Sequence, residues 1–170
     1  MSTVEETGAY ALRDIGPAGG YIFYDKGTYS DGWRYLEAAP VSTEWTDKEW
    51  GSYGTFIGAT EKGIGTGQSN TTKIVTYLNS QGETDRAAQL CDALVYGSYS
   101  DWFLPSRDEL NLMYENLYLY GVGGFAVYFF YWSSSESSAG LAWLQNFFDG
   151  SQGSNYYKYN PVRVRAVRAF

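Results

Sequence analysis

Apolar residues alternate with polar ones near the start of this chain, recur at helical spacing through its middle, and return to a β-type pattern after Gly121. A period of two belongs to strands and a period near 3.6 to helices, so the order strands, helices, strands points to an α+β domain rather than an alternating βαβ fold. The first strand signal is Tyr21-Ile22-Phe23-Tyr24, entered from the turn Gly16-Pro17-Ala18-Gly19-Gly20; the second is Trp33 to Ala38. With turn material from Asp25 to Gly32 between them, the two form a hairpin. From Pro40 to Gly67 no periodicity is sustained, and no strand is placed there.

Three helices are expected next. Ile74 and Leu78 mark a short one over Asn70 to Leu78, with Ser69 or Asn70 as its cap. Ala87, Leu90, Cys91 and Leu94 form the stripe of a second, from about Thr84 to Val95, with Asp85 near its positive end. The third opens with Ser106-Arg107-Asp108-Glu109, a capping box in which hydroxyl and carboxylate satisfy free backbone donors reciprocally. Leu110, Met113 and Leu117 give it a buried stripe.

Composition narrows what such a domain does. Hydrophobic residues make up 44% and aromatics 19% against 18% charged, which excludes disorder. At 170 residues one domain is expected, spanning 10–170 behind a frayed N-terminus at 1–9. The net charge of −7 opposes polyanions, so nucleic acid is not an expected partner. Arg163, Arg165 and Arg168 are read as structural, their stems packing and their guanidiniums pairing with carboxylates. Cys91 stands alone, so no intrachain disulfide forms and a buried free thiol is expected. No apolar run reaches membrane-spanning length, and Met1 to Tyr10 has neither the basic start nor the apolar centre of a signal peptide.

Chemistry finds few candidates. The absence of histidine removes imidazole catalysis and histidine-ligated metals. The carboxylate pairs are Asp47 with Glu49, and Asp108 with Glu109 in the first turn of a helix. Gly63-Ile64-Gly65-Thr66-Gly67 lacks the Gly-Lys-Ser/Thr of a phosphate loop and reads as a turn before the first helix. No enzyme activity, cofactor or metal is expected.

The last third differs from the rest. In Leu141 to Phe148 a strand places Trp143, Gln145 and Phe147 on one face and Leu144, Asn146 and Phe148 on the other. Either both faces are buried, or one is an exposed apolar patch that marks a binding site. Asp149 to Asn160 sets Tyr156, Tyr157 and Tyr159 among Ser, Gly and Asn. Antibody-type binding loops favour that composition, although a surface loop with incidental tyrosines has it too.

Longer motifs carry a resemblance. Tyr131-Trp132-Ser133-Ser134-Ser135-Glu136, Ala142-Trp143, Gln145-Asn146-Phe147, Gly150, Gln152, Lys158 and the ending Arg163-Val164-Arg165-Ala166-Val167-Arg168 resemble the variable proteins of diversity-generating retroelements. Upstream, Gly19 to Gly27, Gly32 to Pro40 and Asp101 to Leu110 look like the scaffold of the same domain. The resemblance implies a C-type-lectin-like fold whose final segment is rewritten by error-prone copying at template adenines. It implies a hypervariable protein on a virion or cell surface, binding a protein or glycan receptor on another cell. Asn codons randomised in this way exclude Lys, Glu, Gln, Met and Trp. Between Ser137 and Val162 those types occur only at Trp143, Gln145, Gln152 and Lys158, all positions that the family pattern holds fixed.

Elimination then leaves as candidate variable positions Ser137, Ser138, Ala139, Gly140, Leu141, Leu144, Phe148, Asp149, Ser151, Gly153, Ser154, Asn155, Tyr156, Tyr157, Tyr159, Asn160 and Val162, with Val127, Tyr128, Phe129 and Phe130 as weaker additions. Leu144, Phe148, Tyr156, Tyr157 and Tyr159 are expected to be at least partly exposed on one contiguous surface, and Trp132 and Trp143 to be buried. Two rivals fit less well. A formylglycine-generating oxidase shares the broad fold but needs more than one reactive cysteine, and a calcium-dependent lectin needs Glu-Pro-Asn or Gln-Pro-Asp and Trp-Asn-Asp triplets that are missing. A calcium-free, lectin-like sugar module, with tyrosines stacked on the sugar, remains the alternative.

Overall fold

The computed structural model describes residues 9–170; Met1–Gly8, which fall in the stretch expected to fray, lie outside the described residues. The Tyr10 ring packs edge-on against Tyr35 and Phe170.

Strands β1 (Tyr21–Ser30) and β2 (Trp33–Ala38) form the expected hairpin, with β1 running further than its apolar start. Asp31 and Gly32 make the two-residue turn, both at positive φ (53° and 87°), as a turn matched to strand twist requires. The chain's last strand, β8 (Val167–Ala169), pairs with the free side of β2 and completes a three-stranded sheet that ties the two ends of the domain together.

The second sheet has the order β3-β7-β4-β5-β6, built from β3 (Trp45–Lys48), β4 (Phe130–Glu136), β5 (Leu141–Asn146), β6 (Gln152–Tyr157) and β7 (Val162–Val164). Only β4 and β7 run parallel. Strand β3 lies in the segment where periodicity failed. It has four residues, and Asp47 at φ 55° interrupts its pairing with β7.

Helices α1 (Gly67–Ser80), α2 (Ala87–Ala93) and α3 (Arg107–Asn116) lie between β3 and β4 in sequence. α1 starts earlier than expected, and neither Ser69 nor Asn70 caps it: Thr66 occupies the cap position, and the Asn70 amide donates to the Glu61 carbonyl at 2.7 Å. α2 is shorter than its stripe implied, because Asp85 at φ 62° breaks the chain ahead of it and Leu94 leaves it in an extended conformation. Cys91 is buried and unpaired, its thiol pKa pushed up by burial. The three helices, two sheets and connecting loops form an α+β architecture that fits a C-type-lectin-like fold.

Strand β4 is the centre of this arrangement. It is buried on both faces: Trp132 enters one core with Trp50, Trp102, Ile74, Leu78 and Leu144, while Tyr131 enters another with Phe23, Leu110, Met113, Phe147 and Val167. Between them Ser133, Ser134 and Ser135 are fully buried, small enough for neighbours to approach and with hydroxyls that find partners. Ser133 Oγ donates to the Trp143 carbonyl (2.8 Å) and Ser135 Oγ to the Glu61 carbonyl (2.7 Å). Buried polar groups are tolerated when hydrogen-bonded in this way.

The capping box forms as read. Ser106 Oγ accepts from Glu109 N–H (3.3 Å), and Glu109 Oε1 accepts from Ser106 N–H (2.7 Å). Glu109 Oε2 also accepts from Gly65 N–H (2.9 Å), which fastens the glycine run to α3. A side chain at Gly67 would overlap that carboxylate, so the run is the turn into α1.

Burial pushes the Glu109 carboxyl from its usual 4.5 up to about 7, against the lowering effect of the Ser106 and Gly65 amides. The folded state therefore holds this proton more tightly than the unfolded chain. Its stabilising contribution is complete below about pH 4.5 and is lost as pH rises through about 7, by roughly 3 kcal/mol. Melting wild type and Glu109→Gln across this window checks it. The stability of wild type relative to the variant is expected to fall as pH rises, and a constant difference would contradict the assignment.

Candidate functional site

The candidate segment folds into the ribbon β4-β5-β6, its two turns, and short stretches on either side. Val127, Tyr128 and Phe129 are exposed ahead of β4, and Phe130 is half-buried at its start. In the β4–β5 turn Ser137 is exposed and Ser138, Ala139 and Gly140 are half-buried, as is Leu141 beyond them. Phe148, Asp149 and Ser151 are exposed in the β5–β6 turn; Asp149 is held ionised below the usual carboxylate range by hydrogen bonds from the Ser151 side chain and amide. Along β6 and after it, Asn155, Tyr157 and Tyr159 are exposed, while Gly153, Ser154, Tyr156 and Asn160 are half-buried.

Two candidates do not face solvent. Leu144 is 1% exposed and Val162 6%. Leu144 lies between Trp132 on β4 and Gly153 on β6, in a strand covered on both faces, since Gln145 beside it is also fully buried. The expected shared face of Leu144 and Phe148 fails because β5 ends at Asn146, and Phe148 stands in the turn, where strand alternation no longer applies. Trp143 departs the other way. It is half-buried rather than core, with Lys62 Nζ 5.3 Å and the Arg107 guanidinium 5.0 Å from its ring centre.

The exposed aromatic residues gather at opposite ends of β5. Tyr128 stacks on Phe148 (centroids 4.7 Å apart, planes at 26°) beside the β5–β6 turn. At the other end Tyr157 stacks on Tyr159 (5.2 Å, 9°), and Tyr53 meets both edge-on at 6.0 and 4.8 Å. The edge strand β6 runs between the two groups. Tyr53, 56% exposed, joins the candidate surface without any signal in the sequence, because it lies in the aperiodic segment and outside every motif.

Beneath this surface Trp143, Gln145, Gln152 and Lys158, the four residues set apart in the sequence as fixed, make contacts with the rest of the domain. Gln145 Nε2 donates to Asn111 Oδ1 (2.9 Å) and to the Gly150 carbonyl (3.0 Å). Gln152 Nε2 donates to the Arg107 carbonyl (2.7 Å), and Trp143 lies against the two cations named above. Lys158 is the most deeply set. Its ammonium, wholly buried, donates to Glu136 Oε2 (2.7 Å) and the Thr55 carbonyl (2.9 Å) and lies 4.7 Å from the centre of the Trp50 ring. Burial lowers the pKa of Lys158 from its ordinary value, opposed by Glu136. The main chain of Lys158 is pinned as well, donating to Gly140 O and accepting from Trp50 N–H. Tyr157 and Tyr159 thus project from a fixed backbone.

The glycines divide in the same way. Gly150 has φ 79°, and a Cβ there would overlap the Tyr114 ring. Gly140 and Gly153, both candidates for variation, lack positive φ, and a Cβ would meet only side-chain atoms, of Tyr53 at 3.1 Å and of Asn155 at 3.2 Å respectively.

The profile of the Lcl C-terminal domain matches residues 42–168, about three quarters of the chain. The chain belongs to the Lcl C-terminal domain family. That membership fits the resemblance to retroelement variable proteins, and the family is one of binding proteins rather than enzymes. A fimbrial protein from Bacteroides ovatus ATCC 8483 shares the fold, with a TM-score of 0.59 over 81% of this chain at 17% identity. This chain accounts for 36% of that protein's length. Comparison with curated proteins returns no match.

Neither carboxylate pair forms a joint acid–base site. Glu49 pairs with Arg86, while Asp108 pairs with Arg107 and Glu109 caps α3. Among the described residues no three Cys, Asp or Glu side chains are placed to hold a metal ion.

Gly150→Ala is expected to destabilise the fold by about 2–4 kcal/mol, from backbone strain and overlap with Tyr114, whereas Gly153→Ala should stay within about 0.5 kcal/mol. Denaturant melts measure both. Equal losses would mean that the two glycines serve the same purpose.

Proposed function

We propose that this chain is a non-enzymatic recognition domain whose segment 127–162 carries a ligand-facing surface diversified by a retroelement, displayed on a virion or cell surface. Leu144 and Val162 belong to its scaffold. The division of labour within the segment supports this reading most directly: residues that adenine copying cannot generate reach inward to Glu136, Asn111 and the Arg107 backbone, while Phe148, Asn155, Tyr157 and Tyr159 face solvent. A rigid frame with replaceable side chains changes what it binds without changing how it folds. The structural neighbour is a fimbrial protein, which is consistent with surface display.

The partner is a protein or glycan receptor on another cell. Tyrosine presents area and a hydroxyl at low rotamer cost, and the small neighbouring residues let the loop adapt. Affinity is expected to concentrate in the exposed rings, as it does at interface hot spots.

A displayed library randomised at Phe148, Ser151, Asn155, Tyr157 and Tyr159 tests the proposal. Most members should melt within a few degrees of the parent, and selection against immobilised proteins and glycans should yield members of differing specificity. A library that largely fails to fold, or folds and yields no binders, would contradict it. The retroelement itself is tested in the flanking DNA, where a near-copy of the codons for the last forty or so residues should carry adenines at the positions that differ.

A further inference from the structure

Beside the Tyr53, Tyr157 and Tyr159 cluster the surface opens into a cavity of about 220 Å³, lined chiefly by Glu49, Ser52, Tyr53, Glu83, Arg86 and Tyr159. Gly51 forms part of its wall at φ 97°. A Cβ there would stand 3.1 Å from Glu83 Oε2 and 3.0 Å from Arg86 Cγ, so glycine keeps the space open. We propose that this cavity receives a basic side chain, lysine or arginine, from a protein partner. The assignment rests on the reading of segment 127–162 as a ligand-facing surface and names the chemistry of one part of it.

Charge is the first argument. Two carboxylates line the cavity against the single guanidinium of Arg86, for the Lys158 ammonium behind it is already matched by Glu136. Arg86 donates to both carboxylates, through Nε to Glu83 Oε2 (3.0 Å) and through Nη1 to Glu49 Oε2. Glu83 accepts further from Ser52 N–H. Glu49 Oε1 accepts from no described residue, and both carboxylates remain part-exposed. An ionised carboxylate has room for about four donors, so this one has acceptor capacity left for an incoming N–H group.

The second argument is how this protein holds its own cations. Lys158 lies between Glu136 and the Trp50 ring; Arg168 pairs with Glu37 and Asp101, 3.8 Å from the centre of the Tyr99 ring; Arg163 pairs with Glu44, 4.2 Å from the centre of Phe129. A carboxylate and an aromatic face recur at each. The cavity brings together the same residue types in its lining, the carboxylates Glu49 and Glu83 with the aromatic residues Tyr53 and Tyr159. Ring faces attract ammonium and guanidinium groups, and most strongly where a wall excludes water. Glu49, Glu83 and Tyr53 lie outside the candidate variable segment and Tyr159 within it, so the site has a constant half and a changeable half.

The test is an NMR titration of the full chain with N-acetyl-arginine amide and N-acetyl-lysine amide, with the neutral isostere N-acetyl-citrulline amide and methyl glucoside as controls. Saturable shifts at the amides of Gly51, Ser52, Tyr53 and Glu83 are expected with the two cations, weakening with added salt and absent with citrulline. Tyr53→Ala should weaken binding about two- to five-fold, the size of an exposed cation–π contact. Glu49→Gln should weaken it at least as much, and Tyr53→Ala remains decisive if loss of the Arg86 partner disturbs folding. No saturable shift, or equal shifts with citrulline, overturns the proposal; shifts with the glucoside alone turn the cavity into a sugar site. Failure here with a library that still yields binders removes only this cavity's assignment, whereas failure of the library leaves the titration to stand or fall on its own.

Discussion

Burial of the Lys158 ammonium against Glu136 is the constraint on which the candidate surface depends. Taking two charges out of water costs several kcal/mol per ion unless their remaining hydrogen-bonding groups are satisfied. Here they are: the Glu136 carboxylate also accepts from the amides of Ile57 and Gly58, and the ammonium donates to the Thr55 carbonyl. One pair thereby joins the end of β4, the chain just after β6 and the loop that carries Tyr53. Removal of either partner would strand a buried charge, so the geometry is held strongly although the pair's net stabilisation is modest.

A second set of ion pairs closes the domain. Glu44 accepts from Arg163, Arg165 and the Tyr131 hydroxyl, bringing β3, β7 and β4 together at one carboxylate. Arg168 on β8 reaches Glu37 on β2 and Asp101, which anchors the three-stranded sheet to the loop ahead of α3. These arginines serve the structural role read from their setting among Val and Ala. Segment 127–162 is therefore anchored near both ends, by β4 close to its start and by the arginine-bearing strands that follow it, and the side chains exposed between contribute little to those anchors.

What the sequence disclosed follows the range of the forces involved. The Ser106–Glu109 box and the β1–β2 hairpin were legible because capping and tight turns are settled within a few residues. The Trp-Ser-Ser-Ser-Glu run was legible as a motif, but not the reason for it: that β4 is sandwiched between two cores is a tertiary fact, and serine hydroxyls find partners there only once Glu61 and Trp143 have been brought alongside. Burial of Leu144 is of the same kind, since alternation assigns a face but not what covers it. Tyr53 gave no signal at all. It joins the tyrosine cluster because the Glu136 carboxylate gathers the loop that follows it, 79 residues distant in sequence at Ile57. The shortened α2 reflects backbone strain at Asp85, an effect that hydrophobic periodicity does not register.

The central claim is that a fixed frame and a replaceable surface are interleaved residue by residue within one short segment. A stability profile of every single substitution across 127–162, read by protease resistance of the displayed domain, tests it most directly. Sharp intolerance is expected at Trp132, Glu136, Leu144, Gly150, Lys158 and Val162, set among tolerant positions at Ser137, Phe148, Asn155, Tyr157 and Tyr159. A profile in which Tyr157 and Tyr159 are as intolerant as Lys158 between them would contradict it.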